Sequence, residues 1–183
     1  MLAIGDIRMI LLKRGVRYAL RVKDNQSASR TRFTHLRWYP IDEDWKITAR
    51  SVPAPEHSRF VFEANVGEQE ITDSPGYAVF ERAGKTYKLQ AARETDGSLR
   101  FVFRDGTSGR TTHGGARQLV AAAPRGDVVV LDFNRATNLP CAYIPFATCP
   151  LAPPQNRLSL PITAGELKYE PGSDRSLPES GPK

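Results

Sequence analysis

Apolar and polar residues alternate with a period of two along much of the chain, the pattern of half-buried β-strands. The first such stretch covers residues 16–22 and follows an apolar run over residues 7–12. Gly15 lies between them, where a tight turn needs a positive φ. The pattern therefore predicts a β-hairpin near the start of the chain.

Further alternating segments follow, separated by turn signals. They cover residues 45–50, 60–64, 77–82, 86–91 and 99–103. Because turns centred on Gly84 and Gly97 separate the last three, the middle of the chain is predicted to be a meander.

Later segments differ from this pattern. Residues 128–131 are continuously apolar and β-branched, which is typical of a central strand buried on both faces. Leu158, Leu160 and Ile162 indicate a last strand, and Pro161 places it at a sheet edge or a bulge. Helix is expected for less than about a tenth of the chain, with a turn or two at most over residues 116–123.

Residues 5–169 are accordingly predicted to form one mainly β domain, an antiparallel barrel or two-sheet sandwich of about 8–10 strands. Five prolines in residues 140–154 exclude helix and ladder pairing over most of that stretch. Its apolar residues favour an ordered loop rather than a disordered one; they are Tyr143, Ile144, Phe146 and Leu151. Residues 170–183 have almost no apolar side chain and are predicted to be a disordered tail.

Composition is that of a globular protein. The chain has 183 residues, of which 40% are hydrophobic and 25% charged, so it is expected to fold around one core. No apolar run approaches the roughly 18 residues that a membrane span requires, and no signal-peptide pattern is recognisable. We therefore expect a cytoplasmic protein whose Cys141 and Cys149 are reduced thiols.

The net charge of +6 is confined to the first segment, since residues 1–50 contain eleven Lys and Arg against five Asp and Glu. The basic hairpin with nearby aromatic residues superficially matches a nucleic-acid surface. Alternating strands ordinarily turn Arg and Lys toward solvent, however, so a nucleic-acid partner is not expected.

A distinctive string lies in the last third of the chain: VVLDFNR at residues 129–135, PCA at 140–142, ATCPL at 147–151 and PPQNRL at 153–158. It resembles domain-of-unknown-function family 1684 of bacteria and archaea. FVFRDGTSG at residues 101–109, LRVKD at 20–24 and LRWYPID at 36–42 fit the same family. The resemblance covers roughly residues 5–169 and implies positions of interest, but no activity.

The chain departs from this family in three respects. Members usually carry further sequence before the N-terminal hairpin, so the resemblance implies that the chain is truncated. The family commonly has an aromatic hydroxyl residue in place of His113 and a second proline in place of Leu139.

Polar residues cluster at the end of the strand predicted over residues 128–131. Such groups need partners, and a carboxylate, a guanidinium and two amides could line a small-molecule pocket. The candidate ligand-binding residues there are Asp132, Asn134, Arg135, Asn138 and Cys141. Arg104, Asp105 and Ser108 in a glycine-rich segment, and Asn156 after the proline-rich loop, complete the set.

The same residues also permit a purely structural interpretation. Asn and Asp commonly fix turns through their own backbone, and Arg135 could pair with Asp132 or Asp105. The segment over residues 104–110 lacks the Gly-Lys-Ser/Thr of a phosphate-binding loop and is better interpreted as a pair of β-turns.

No cofactor or metal is expected. Cys141, Cys149 and His113 lack the short ligand spacing of zinc sites, and nucleophilic catalysis would require Cys141 to meet a base such as His113. The best functional hypothesis is non-catalytic binding of a small molecule. The alternatives are a hydrolase that uses Asp132 or Cys141, and a structural or partner-binding module.

Overall fold

The computed structural model describes residues 1–14, 17–64, 67 and 69–170. These divide into two compact units, Met1–His35 and Leu36–Tyr169, which are considered one at a time. That residues 5–169 fold as a single domain stays a prediction. The predicted disordered tail, beyond residue 170, lies outside the described residues.

The first unit is a small antiparallel sheet. Its strands are β1 (Leu2–Ile4), β2 (Ile7–Arg14) and β3 (Arg17–Asp24), and a short helix α1 (Ala28–Thr31) follows. β2 and β3 form the predicted hairpin, with Leu11 opposite Leu20, while residues 15 and 16 lie outside the described residues. The apolar side chains Tyr18, Leu20 and Val22 are all exposed.

The second unit is built on a seven-stranded antiparallel sheet that curls into a half-barrel. Its strands are β4 (Lys46–Pro53), β7 (Gly76–Arg82), β8 (Lys85–Arg93), β9 (Leu99–Phe103), β10 (Arg117–Ala121), β11 (Val128–Asp132) and β12 (Thr137–Asn138). They are arranged in the order β11-β4-β7-β8-β9-β10-β12. The consecutive neighbours β7, β8 and β9 are the predicted meander, which β10 extends by one strand, and the mainly β class is confirmed.

A separate hairpin of β5 (Arg59–Glu63) and β6 (Gln69–Asp73) belongs to the same unit. Phe60 and Phe62 from β5 are fully buried because the strand alternates exposed and buried positions. They form a second hydrophobic cluster beside the main core, and Cys149 belongs to it. This second cluster supports the proline-rich loop.

Three expectations about individual elements are wrong. Residues 116–123 contain no helical turn but the strand β10, because pairing with β9 overrides the helix preference of alanine. Residues 158–162 form no strand, although Leu158, Leu160 and Ile162 are buried alternately. Pro161 lacks the N–H that a ladder needs, and only an isolated bridge of Arg157 to Arg104 precedes it.

The third error concerns β11, which is an edge strand of the sheet and not a central one. It pairs only with β4, and its side chains alternate between exposed and buried. Val129 and Leu131 face the core, whereas Val130 is 45% exposed. The continuously apolar run over residues 128–131 therefore forms a strand with one buried face and one solvent-facing face.

The proline-rich loop contains two 3-10 turns, Pro140–Ala142 and Pro154–Asn156. Of the apolar residues that favoured an ordered loop, Tyr143 and Leu151 are partly buried, whereas Phe146 is 93% exposed. Among the described residues, no helix has the length and hydrophobicity needed to cross a membrane.

Candidate functional site

A cavity of about 220 Å³, partly open to solvent, lies between the segment before β10 and the proline-rich loop. Its walls combine an imidazole and two thiols with apolar side chains. The lining residues are His113, Gly115, Ala116, Cys141, Pro145, Cys149, Pro150 and Leu151.

Both ends of the loop are fixed to neighbouring structure. At its start, the 3-10 turn is closed by the Ala142 N–H, which donates to the Leu139 carbonyl at 2.9 Å. At its end, the Leu151 N–H donates at 2.7 Å to the carbonyl of Glu63, the last residue of β5. Cys149 is buried in the second cluster, and Cys141 packs against it. The cavity wall is therefore anchored on the hydrophobic core.

The two thiols and the imidazole converge. The Cys141 N–H donates to Cys149 Sγ at 3.2 Å. Cys141 Sγ lies 3.7 Å from His113 Nε2. Three side chains with hydrogen-bonding atoms thus share one wall of an otherwise apolar cavity.

Burial favours the neutral forms of Cys141 and His113. It raises the pKa of Cys141 to about 12, helped by the hydrogen bond with the Cys149 thiol. It also lowers the pKa of His113, with further lowering from the cations Lys168 and Arg104, while Glu166 acts in the opposite direction. At neutral pH the site therefore presents a protonated thiol and an uncharged imidazole.

A buried carboxylate lies close enough to influence His113. Glu166 is only 2% exposed and accepts hydrogen bonds from the Asn138 N–H at 2.9 Å and from Asn138 Nδ2 at 3.0 Å. The Tyr143 hydroxyl donates to the same carboxylate. Burial and this bond raise the pKa of Tyr143, so the phenol stays protonated. Glu166 thereby fixes the start of the loop.

Asp132 and Asn134, at the end of β11, make contacts that stabilise the local backbone. Asp132 accepts from the Asn134 N–H at 3.2 Å and caps a 3-10 turn, Phe133–Arg135. The Asn134 side chain bonds both backbone groups of Asp42, at 3.0 and 2.8 Å. Arg135 is exposed, and no ion pair within the described residues links it to Asp132 or Asp105.

The glycine-rich segment forms two turns, as its composition predicts. Asp105 is buried and pairs with Arg117 Nη2 at 2.8 Å. Ser108 Oγ accepts from the Asp105 N–H at 3.1 Å, and Arg104 contributes main-chain bonds to Asn156 and Leu158. These contacts hold the turns and the C-terminal segment against the sheet.

Asn156 is completely buried and connects two strands. Its Oδ1 accepts from the Gln90 N–H at 2.7 Å, and its Nδ2 donates to the carbonyls of Gln90 and Val102 at 3.0 and 2.9 Å. The side chain completes hydrogen bonds between β8 and β9 that the strands do not make with each other.

The structure thus separates the sequence candidates into several groups. Cys141 lines the cavity, and Asn138 binds Glu166 beside it. Arg135 is exposed, and the remaining candidates make the structural contacts described above. Sequence reasoning considered His113 and Cys149 only as metal ligands or in nucleophilic catalysis, and it missed Glu166 and Tyr143. Glu166 is the only charged residue in the range 162–167, and this is the signal that points to it, because a buried charge needs donors.

No group of three His, Cys, Asp or Glu side chains in the described part of the chain is placed to hold a metal ion. The cavity is lined by two thiols, an imidazole and apolar side chains.

The model of the family described as "Protein of unknown function (DUF1684)" matches residues 31–167. The chain belongs to this DUF1684 family. The matched range contains the whole cavity and the Glu166 network, so both lie within the DUF1684 domain.

Among solved structures, the DUF1684 chain is similar to the solution NMR structure of the uncharacterised protein from gene locus rrnAC0354 of Haloarcula marismortui. The two are 28% identical, and the similarity covers 75% of this chain and 78% of the other, with a TM-score of 0.61. A comparison with curated proteins gives no match. The likeness supports the fold and names no activity.

Proposed function

We propose that this DUF1684 protein binds a small molecule in the cavity between His113 and the proline-rich loop, without chemical conversion. The observation that supports it is the convergence of His113, Cys141 and Cys149 on one wall of an open, otherwise apolar cavity. Apolar walls with a few convergent polar groups are the usual composition of small-molecule sites.

The size and lining of the cavity limit the size and polarity of the ligand. Its volume of about 220 Å³ is below the roughly 300–1,000 Å³ of typical small-molecule pockets, so the ligand is small. Ala116, Pro150 and Leu151 suit an apolar body. His113 and the thiol of Cys141 suit one polar group that exchanges hydrogen bonds, because both are uncharged at neutral pH.

Binding without turnover is favoured over hydrolysis by the state of Cys141. A cysteine nucleophile acts as the thiolate and is normally activated by a lowered pKa. Burial instead raises the pKa of Cys141 to about 12. The carboxylate of Asp132, the other candidate for hydrolysis, is engaged with Asn134 in capping a turn.

The contact of Cys141 with His113 nevertheless supports a second candidate, a cysteine-dependent hydrolase. Alkylation of Cys141 with iodoacetamide separates the two functions. A hydrolase loses its turnover of activated esters after alkylation, whereas a binding protein shows no cysteine-dependent turnover at any time.

We also propose a cytoplasmic location, because both cysteines are thiols and that compartment keeps thiols reduced. A small molecule, and not a nucleic acid, is the proposed partner. The exposed basic side chains that suggested a nucleic acid belong to a hairpin outside the unit that holds the cavity.

Native mass spectrometry of the protein purified under mild conditions tests the binding proposal. A co-purified molecule that disappears on denaturation gives the ligand, and its affinity is then measured for two variants. We expect His113→Ala to weaken binding by roughly tenfold, the value of one hydrogen bond of about 1.4 kcal/mol. Arg135→Ala is the matched control, because this exposed residue lies at the site that the sequence suggested.

Equal melting temperatures of the two variants show that folding is not the cause of any difference in affinity. Weaker binding by Arg135→Ala with normal binding by His113→Ala would place the ligand at the end of β11 and contradict the proposal.

A further inference from the structure

The two cysteines of the chain meet in the wall of the cavity. Cys149 Sγ accepts a hydrogen bond from the Cys141 N–H at 3.2 Å, and both side chains line the cavity. The chain contains two cysteines in total, so its whole thiol content is concentrated at this point. Both are thiols in the structure.

We propose that Cys141 and Cys149 form a reversible dithiol–disulfide pair that is oxidised by a low-molecular-weight disulfide. The proposal goes beyond ligand binding and does not depend on it, since it concerns the sulfur atoms alone.

The loop geometry permits bond formation. The Cys141 backbone already contacts Cys149 Sγ, and the two sulfur atoms have to approach to about 2.05 Å to form a disulfide. The intervening residues include the exposed side chains of Ile144 and Phe146, so the loop can adjust without uncovering the core. Cys149 itself is held in the second cluster, which leaves Cys141 as the sulfur that moves.

The two cysteines differ in solvent exposure, and this difference assigns their roles in the exchange. Cys141 is partly exposed and lines the open cavity, so a small disulfide reaches it first. Cys149 is only 3% exposed and attacks second, from inside. His113 Nε2 lies 3.7 Å from Cys141 Sγ, where it can accept the thiol proton during the attack. Because burial raises the pKa of Cys141, little thiolate forms at neutral pH and the exchange is expected to be slow.

The thiol–disulfide exchange proceeds in two displacement steps. Cys141 Sγ loses its proton to His113 and attacks one sulfur of the reagent R–S–S–R, whose S–S bond breaks while a Cys141–S–S–R bond forms. The departing RS⁻ takes the proton from His113. Cys149 Sγ then attacks the Cys141 sulfur, the Cys141–Cys149 bond forms, and the second RS⁻ leaves with the Cys149 proton. Two thiols are oxidised and one disulfide is reduced to two RSH.

Intact-mass spectrometry of the full chain after incubation with oxidised glutathione tests the proposal. The wild-type protein is expected to lose the mass of two hydrogen atoms and to retain no adduct, and dithiothreitol should restore it. Cys149→Ser should keep one glutathione on Cys141, because the resolving thiol is gone. Cys141→Ser should stay unmodified while folded, since Cys149 is buried.

Stable glutathione adducts on the wild-type monomer, or disulfide-linked dimers in place of the internal bond, would overturn the proposal. Failure to find a ligand would leave these masses unchanged, so the two proposals fail separately.

The role of His113 is tested in the Cys149→Ser background. His113→Ala should slow adduct formation on Cys141 severalfold at neutral pH and leave the melting temperature close to that of its parent. His35→Ala is the matched control, because His35 is exposed and outside the cavity. An equal rate in the two His variants would remove His113 from the proton transfer.

Discussion

At the residue scale, the pair of Arg117 and Asp105 is the most demanding feature of the core. Both side chains are fully buried, and Arg117 Nη2 lies 2.8 Å from Asp105 Oδ2. Arg117 also donates to the carbonyls of Ala164 and Ile162, which ties the C-terminal segment to β10. A buried ion pair is costly to break, because the remaining partner is left as an uncompensated charge.

We expect Asp105→Ala to lower the free energy of unfolding by about 3–5 kcal/mol, since it leaves Arg117 buried without its carboxylate. Urea denaturation of the full chain measures this. The matched control is Glu94→Ala, which breaks the partly exposed pair of Glu94 with Arg100 and should cost about 1 kcal/mol or less. Similar losses in the two variants would show that Arg117 finds other partners or water.

The second prediction at this scale concerns the titration of Cys141. An ordinary cysteine has a pKa of about 8.5, so its alkylation rate levels off above that pH. Because burial raises the pKa of Cys141 to about 12, its rate of reaction with iodoacetamide should keep rising from pH 7 to pH 10. A plateau near pH 9 would contradict the buried, hydrogen-bonded thiol.

The same shift has a defined effect on stability. The folded pKa of Cys141 is above that of the unfolded chain, so its contribution to stability is fully present below the unfolded value. That contribution is lost as the pH rises toward about 12.

At the scale of elements, β11 shows how position in a sheet decides which residues are buried. The strand pairs only with β4, and Val129 is 2% exposed while its neighbour Val130 is 45% exposed. The two valines are chemically identical and adjacent, so they form a matched pair for a single substitution.

We expect Val129→Asp to abolish folding or to lower the free energy of unfolding by several kcal/mol, because it places an unpaired charge in the core. Val130→Asp should change it by less than about 1 kcal/mol, since a charge on the solvent face of an edge strand is well tolerated. Circular dichroism during urea denaturation measures both. Comparable damage from the two substitutions would contradict the edge position of β11.

Sequence periodicity predicted those strands in which apolar and polar residues alternate because one face of the strand is buried. β4, β5 and the strands from β7 to β9 were all recognisable in this way. It failed for β11, because a sequence of apolar residues does not reveal whether a strand has one neighbour or two. It failed for β10, where pairing with β9 decides the conformation.

At the scale of the whole molecule, local sequence patterns could not predict the cavity, because its residues are far apart in the sequence. His113 and Cys141 are 28 positions apart, and β10, β11 and β12 intervene between them. The sequence cluster did include Cys141 and Asn138, because polar residues near a strand end need partners. It could not place His113 opposite Cys141, since that contact depends on how the loop returns to the second cluster.

The central claim is that the cavity beside His113 is a binding site for a small molecule, and chemical-shift mapping tests it most directly. Amide spectra of the ¹⁵N-labelled full chain are recorded against a library of small fragments. We predict that binders shift the signals of Gly115, Ala116, Cys141 and Leu151 together. Binders that shift only signals around Asp132 and Arg135, or a library without any binder at the cavity, would contradict the account.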